Sequence, residues 1–188
     1  VQEIKAAIRY LRAHADEYHI DPERIGLWGL SAGAHLAVLA AVSSGVKELD
    51  DPDMGNGEYP DTVQAVVDLY GPVDLAIGEG EGREDPSGTM SATFLGKPLS
   101  QVPELLRLSN PCNFIHEQIP PVFIQHGDSD RLVSIRNSCL LYERIVEAAG
   151  TDKVYFEILK GADHADPLFR TEENNRKIYE FLDRYLSK

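Results

Sequence analysis

The chain has 188 residues, 43% of them apolar and 26% charged, a balance typical of one globular domain with a substantial core. Its formal net charge is −13, so nucleic acid would be repelled, and a neutral or cationic small substrate fits better. It contains no apolar run of about 20 residues, the length needed to cross a bilayer, so no membrane span is expected.

The two cysteines, Cys112 and Cys139, lie in no spacing that predicts a metal site, and no metal is expected. Two ordinary thiols favour a reducing compartment, and we expect a cytoplasmic location. Because the chain starts at Val1 without a methionine, a targeting segment further upstream, and with it secretion, stays an alternative.

The N-terminal third predicts a helix, a strand and a second helix. Within residues 2–18, a single helix is predicted to bury the face formed by Ile4, Ala7, Ile8, Leu11 and Ala15. Residues 24–30 combine β-favouring and small side chains, which predicts a buried strand. The Ala- and Leu-rich segment 32–44 predicts a helix that begins directly after Ser31.

The rest of the chain alternates loops, strands and helices. A polar surface loop is predicted at 45–61, and a long connection or lid at 77–113, with a mobile stretch at 77–88 and short helices around Leu95 and 102–108. Further strands are predicted at 63–70, 121–126 and 154–159, and further helices at 135–149 and at 171–186, which Thr171 caps.

This alternation predicts a single α/β domain with a parallel sheet and helices on both faces. Ligands of such sheets bind beyond the carboxyl ends of the strands. The segments after the four strands, in which functional residues are expected, are Ser31, 70–74, 127–131 and 160–166.

Gly29-x-Ser31-x-Gly33 is the pattern of a nucleophile elbow, a sharp turn between a strand and a helix. The two glycines and Ala32 are predicted to meet the need for small neighbours in that turn. The turn would expose the Ser31 hydroxyl at the helix N-terminus and leave the Ala32 amide free to stabilise an oxyanion.

A serine nucleophile needs a base and an acid that orients the base. Asp128 and Asp130 follow the third strand, and either could orient a base or simply form a turn. Of the six histidines, only His164 follows the fourth strand, whereas His35 and His126 are predicted to make structural hydrogen bonds. The order nucleophile, acid, base is that of α/β-hydrolases.

Segments 24–37, 126–133 and 161–164 resemble carboxylesterases related to hormone-sensitive lipase, in the branch of bacterial acetyl-xylan and feruloyl-type esterases. The resemblance covers nearly the whole chain. It implies an α/β-hydrolase fold in which Asp130 is the triad acid and His164 the base. No cofactor is expected, because such a triad does its own acid-base and nucleophilic work.

The chain departs from that family at Leu30, where an acidic residue is common, and at Ala34, where a third glycine is frequent. It also lacks the family's His-Gly-Gly loop, whose amides form the other half of the oxyanion hole. We therefore expect the C-terminal half to two-thirds of an α/β-hydrolase, with its first strand at an open sheet edge that a homodimer could cover. Loss of one oxyanion donor would lower turnover by about a hundredfold or more.

The sequence thus predicts a serine esterase for small-acyl esters of the acetyl or feruloyl type, with carbohydrate esters as one option. One alternative is an amidase, arylformamidase or peptidase of the same fold. A second alternative is an inactive fragment or a binding module that keeps the scaffold without the activity.

Overall fold

The strands form one parallel sheet whose spatial order equals their order in the chain. The computed structural model describes residues 1–77 and 90–187. The strands are β1 (Gly26–Leu30), β2 (Ala65–Leu69), β3 (Val122–Gly127) and β4 (Val154–Leu159), in the order β1-β2-β3-β4. All neighbouring pairs are parallel, which confirms the predicted α/β class.

Helices cover both faces of this sheet, as predicted. They are α1 (Gln2–Ala13), α2 (Ala15–Tyr18), α3 (Ala32–Val42), α4 (Met90–Leu95), α5 (Pro103–Ser109), α6 (Arg136–Ala149) and α7 (Glu172–Leu186). Val66 packs in a core with residues of α1, α3 and α6, whereas its neighbour Val67 packs in a second core with residues of α7. Successive residues of a strand point to opposite faces, so β2 contributes to both cores.

The buried face of α1 differs from the prediction. Ala7 and Leu11 are exposed, and the helix ends before His14. The charged residues that α1 buries instead are Lys5, Arg9 and Arg12. Their donors are satisfied by oxygens of segment 43–62 and by the Pro22 carbonyl, and a buried cation is tolerated when it is paired in this way.

Strand β1 lies at an edge of the described sheet, where the open edge was expected. Trp28 and Leu30 are 39% and 40% exposed, so the prediction of a buried strand is wrong at these positions. The Trp28 ring packs edge-on against Tyr179 of α7, with 6.0 Å between the ring centroids. On its other side β1 pairs with β2 along its full length, and this pairing fixes the position of the turn that follows Leu30.

The segment predicted as a lid or connection, 77–113, is described at Ile77 and from Met90 onward. Helices α4 and α5 confirm the two short helices expected there. The stretch predicted to be mobile, 77–88, lies outside the described residues except for Ile77. Within the described ranges, no helix is long and apolar enough to cross a membrane.

Candidate active site

Ser31 occupies the tight turn between β1 and α3. Its φ of 53° and ψ of −123° form a backbone conformation that residues with a side chain rarely adopt. The turn is held on both sides: the Ser31 N–H donates to the Leu69 carbonyl at 2.9 Å, and the Ser31 carbonyl accepts from the amides of Ala34 and His35. The hydroxyl is thereby presented at the N-terminus of α3, as predicted.

The two glycines of the elbow pattern have different roles. A Cβ on Gly29 would overlap the backbone of Gly33 and Ala34, so no other residue fits there. A Cβ on Gly33 would meet nothing within 4 Å. The expected need for small neighbours therefore holds strictly at Gly29, whereas Gly33 has space for a Cβ.

Ser31, His164 and Asp130 are joined by two hydrogen bonds. The Ser31 Oγ lies 2.9 Å from Nε2 of His164, and Nδ1 of His164 lies 2.8 Å from Oδ2 of Asp130. An ionised carboxylate only accepts hydrogen bonds, so Nδ1 carries the proton and Nε2 can accept one from the hydroxyl. The structure thus brings together the three residues that the sequence singled out.

The carboxyl group of Asp130 is 1% exposed and its oxygens accept several hydrogen bonds. Oδ1 accepts from the amides of Leu132 and Val133 at 2.9 and 2.8 Å. Burial alone would raise the pKa of Asp130, but hydrogen bonds from His126, His164 and these two amides outweigh it and hold the pKa well below its usual range. Asp130 is therefore ionised at neutral pH.

Asp128, the other candidate acid, makes its hydrogen bonds to residues other than His164. Its Oδ1 accepts hydrogen bonds from the Gly161 amide at 2.6 Å and from the Ser129 hydroxyl at 3.1 Å. It ties the loop after β3 to the loop after β4, which matches the turn-forming role left open for it.

Tyr70 packs against the His164 imidazole, and no sequence motif predicts this contact. Its buried ring lies edge-on to His164 with 4.9 Å between centroids, and also contacts Phe169 at 4.5 Å. Tyr70 has a φ of 48° and Ala165 a φ of 57°, so the neighbour of His164 in the chain and its ring contact share the rare positive φ of Ser31. Only the position of Tyr70, directly after a strand, could have drawn attention to it.

A pocket of about 130 Å³ opens beside Ser31. Its lining is mostly apolar and consists of Ser31, Ala32, His35, Pro72, Asp74, Leu75, Ile77, Met90, Ser91, Phe94, Leu132, Val133 and Asn137. Its volume is close to that of an apolar cavity of about 150 Å³ that binds benzene, so its size is suited to a short acyl chain or a small ring. Ala32 is the first residue of α3, and its amide has no acceptor within the helix.

The two histidines predicted to be structural are both buried and hydrogen-bonded. His35 Nδ1 lies 3.0 Å from the Pro72 carbonyl, and burial lowers the pKa of His35, so the ring is neutral. His126 lies 2.7 Å from the Ser138 hydroxyl and 2.9 Å from the Val133 carbonyl. His126 also approaches Asp130, which the sequence did not suggest.

Neither cysteine is placed for metal binding or nucleophilic chemistry. Cys112 and Cys139 are free thiols, and burial raises the pKa of Cys112 to about 12, which keeps it protonated. Within residues 1–77 and 90–187, no three His, Cys, Asp or Glu side chains converge as a metal ion would require.

Residues 1–145 match the BD-FAE family. The match covers well over half of the chain. The chain belongs to the BD-FAE family. A truncated form of a carbohydrate esterase from gut microbiota has the same fold as this BD-FAE chain, with a TM-score of 0.90 and 31% identity, over 100% of this chain and 68% of that one. The predicted resemblance to α/β-hydrolase carboxylesterases related to hormone-sensitive lipase is confirmed.

Two curated relatives from Mycobacterium tuberculosis (strain ATCC 25618 / H37Rv) are similar to this BD-FAE chain over nearly all of its length. Esterase LipQ is 31% identical, over 99% of this chain and 43% of LipQ. Esterase LipC is 29% identical, over 98% of this chain and 46% of LipC. The chain thus spans about half the length of these relatives.

Proposed function

We propose that this chain hydrolyses carboxylic esters through an acyl-enzyme formed on Ser31. The observation that carries the proposal is the unbroken series of hydrogen bonds from Ser31 through His164 to Asp130, with distances of 2.9 and 2.8 Å. A serine hydroxyl is a weak nucleophile on its own, and an oriented imidazole of this kind makes it reactive.

The acylation step moves one proton and makes one bond. The Ser31 Oγ attacks the ester carbonyl carbon while its proton passes to Nε2 of His164, and the carbonyl electron pair moves onto the oxygen. The Ala32 amide donates to that oxyanion, and Asp130 stabilises the imidazolium. When the intermediate collapses, the ester C–O bond breaks and the alcohol leaves with the proton held by His164.

Deacylation repeats the sequence with water. Nε2 of His164 takes a proton from the water as its oxygen attacks the acyl carbon. The intermediate then expels Ser31 Oγ, which regains the proton, and the free acid leaves. These steps use the side chains of Ser31, His164 and Asp130, the Ala32 amide and one water molecule.

The substrates proposed are esters with a small acyl group, of the acetyl or feruloyl type. The pocket of about 130 Å³ beside Ser31 supports this choice, because its volume suits an acetyl group or one small ring. The name of the carbohydrate esterase supports a sugar as the alcohol part.

The test compares Ser31→Ala with Ser187→Ala, which removes an exposed hydroxyl after α7. On p-nitrophenyl acetate, Ser31→Ala should lower kcat by about a hundredfold or more, and Ser187→Ala should match the wild type. Equal turnover by Ser31→Ala would refute the proposal. Rates on acetate, octanoate and feruloyl esters then test the acyl group, and a preference for octanoate would contradict a small acyl group. Rates on a matched anilide test the ester bond, and a preference for the anilide would contradict an esterase.

A further inference from the structure

A second histidine contacts the same carboxylate oxygen as His164. Nε2 of His126 lies 3.3 Å from Oδ2 of Asp130 and 2.9 Å from the Val133 carbonyl oxygen. Both neighbouring oxygens are acceptors, so Nε2 must carry a proton. The N–H of His126 therefore donates to the Val133 carbonyl and lies beside Oδ2 of Asp130.

The imidazole of His126 cannot turn away from Asp130 without losing its other contacts. The side chain is fully buried at the end of β3, and its Nδ1 lies 2.7 Å from the hydroxyl of Ser138, a buried residue of α6. Helix α6 thus fixes the ring from one side while the Val133 carbonyl fixes it from the other. A group held in this way is suited to setting the orientation of its neighbour.

We propose that His126 is a positioning residue that directs Oδ2 of Asp130 toward His164. Two backbone amides donate hydrogen bonds to Oδ1, but they do not fix the plane of the carboxylate. That plane depends on the groups that contact Oδ2, which are His126 and His164. Small displacements of groups in an active site lower rates steeply, so a fixed acid contributes to kcat. This inference rests on the esterase mechanism proposed above.

Two substitutions separate positioning from simple packing. His126→Gln places an amide nitrogen close to the position of Nε2 and can still donate to Asp130. His126→Asn places its amide close to Nδ1, which keeps a partner for Ser138 but removes the donor to Asp130. If His126 served only to join β3 to α6, Asn would be the better replacement; if it positions Asp130, Gln is the better one.

The first readout is the low-field NMR signal of the proton between His164 and Asp130, which does not depend on turnover. We expect His126→Asn to shift or broaden this signal and His126→Gln to restore it. His116→Asn, an exposed control, should leave it unchanged. An unchanged signal in His126→Asn would overturn the inference. If His126→Asn does not fold, Ser138→Ala is the substitute, because it removes the hydroxyl that holds the His126 ring. Ser138→Ala should shift the same signal, and an unchanged signal in that variant would equally overturn the inference.

The second readout is the kinetic split on p-nitrophenyl acetate. We expect His126→Asn to lower kcat about tenfold with little change in KM, and His126→Gln to recover most of it. Equal kcat values for the two folded variants would overturn the inference even if Ser31→Ala abolishes turnover. Full turnover by Ser31→Ala would instead refute the proposed mechanism, so the two failures are distinguishable.

Discussion

Arg131 and Asp163 form an ion pair that joins the loop of Asp130 to the loop of His164. Asp163 accepts three hydrogen bonds from Arg131. The donors are the backbone amide at 3.0 Å, the side-chain Nε at 2.7 Å and a terminal guanidinium nitrogen. Oδ1 of Asp163 also accepts from the His164 amide at 2.8 Å. Arg131 follows Asp130 and Asp163 precedes His164, so the pair holds the two loops together beside the Asp130–His164 hydrogen bond.

Breaking this pair should lower activity more than stability. The hydrogen bonds from Arg131 lower the pKa of Asp163 to about 2, but the Arg131 side chain is 87% exposed, and exposed pairs contribute little to folding. We expect Arg131→Ala to lower kcat/KM about threefold to tenfold, with an unchanged unfolding midpoint. In 1 M NaCl the difference from the wild type should shrink, because salt weakens the pair.

The control for this prediction is Arg176→Ala, which breaks an exposed ion pair with Glu180 on α7, a helix that does not line the pocket beside Ser31. Its kcat/KM should match the wild type at both salt concentrations. The prediction is wrong if Arg131→Ala and Arg176→Ala are equally active.

The glycines of the elbow provide a matched pair of substitutions. Gly29→Ala should prevent folding or lower the free energy of unfolding by several kcal/mol, because its Cβ overlaps backbone atoms that cannot move aside. Gly33→Ala should raise it by about 0.5–1 kcal/mol, because alanine favours the helix and its Cβ meets no neighbour. Urea unfolding of both variants measures this, and a destabilised Gly33→Ala would contradict it.

Asp68 in β2 should make stability fall as the pH rises. The residue is fully buried, and burial raises its pKa from 3.8 to about 6 against the hydrogen bond from the Gly71 amide. An acid whose pKa is raised by folding contributes stability that is present below pH 4 and lost as the pH passes 6. This shift is worth on the order of 3 kcal/mol.

Asp68→Asn removes that titration and keeps an oxygen for the Gly71 amide. The difference in free energy of unfolding, variant minus wild type, should therefore become more positive between pH 4 and 7 and level off above pH 7. Asp183→Asn, at an exposed position of α7, controls for the loss of one negative charge. A difference for Asp68→Asn that stays flat from pH 4 to 7 would show that Asp68 does not titrate in this way.

The sequence predicts the elements and the candidate site because both depend on local signals. The apolar and polar residues of the strands and helices follow spacings that predict each element. Thr171 caps α7 as expected, and its hydroxyl accepts a hydrogen bond from the Asn174 amide at 3.3 Å. The residues after the parallel strands must lie at one edge of the sheet. That rule is enough to bring Ser31 and His164, which are 133 residues apart, into one site.

The contacts that the sequence does not predict are polar and distant in the chain. Lys5 is buried because the Ser43 carbonyl accepts from it, 38 residues away, and no periodicity of apolar residues reports such a partner. The approach of His126 to Asp130 depends on how Ser138 of α6 holds the ring. A polar residue can be buried where the fold supplies its hydrogen-bond partners. The local spacing of apolar residues does not predict those partners.

Ser31 is the residue that becomes acylated in the proposed mechanism. The most direct measurement is mass spectrometry of peptides from the chain, quenched in acid during turnover of p-nitrophenyl acetate. We predict one acetyl group on the peptide that contains Ser31, and none there in Ser31→Ala. Turnover without acetylation of Ser31 in a rapid quench, or acetylation that persists at the same level in Ser31→Ala, would contradict the account.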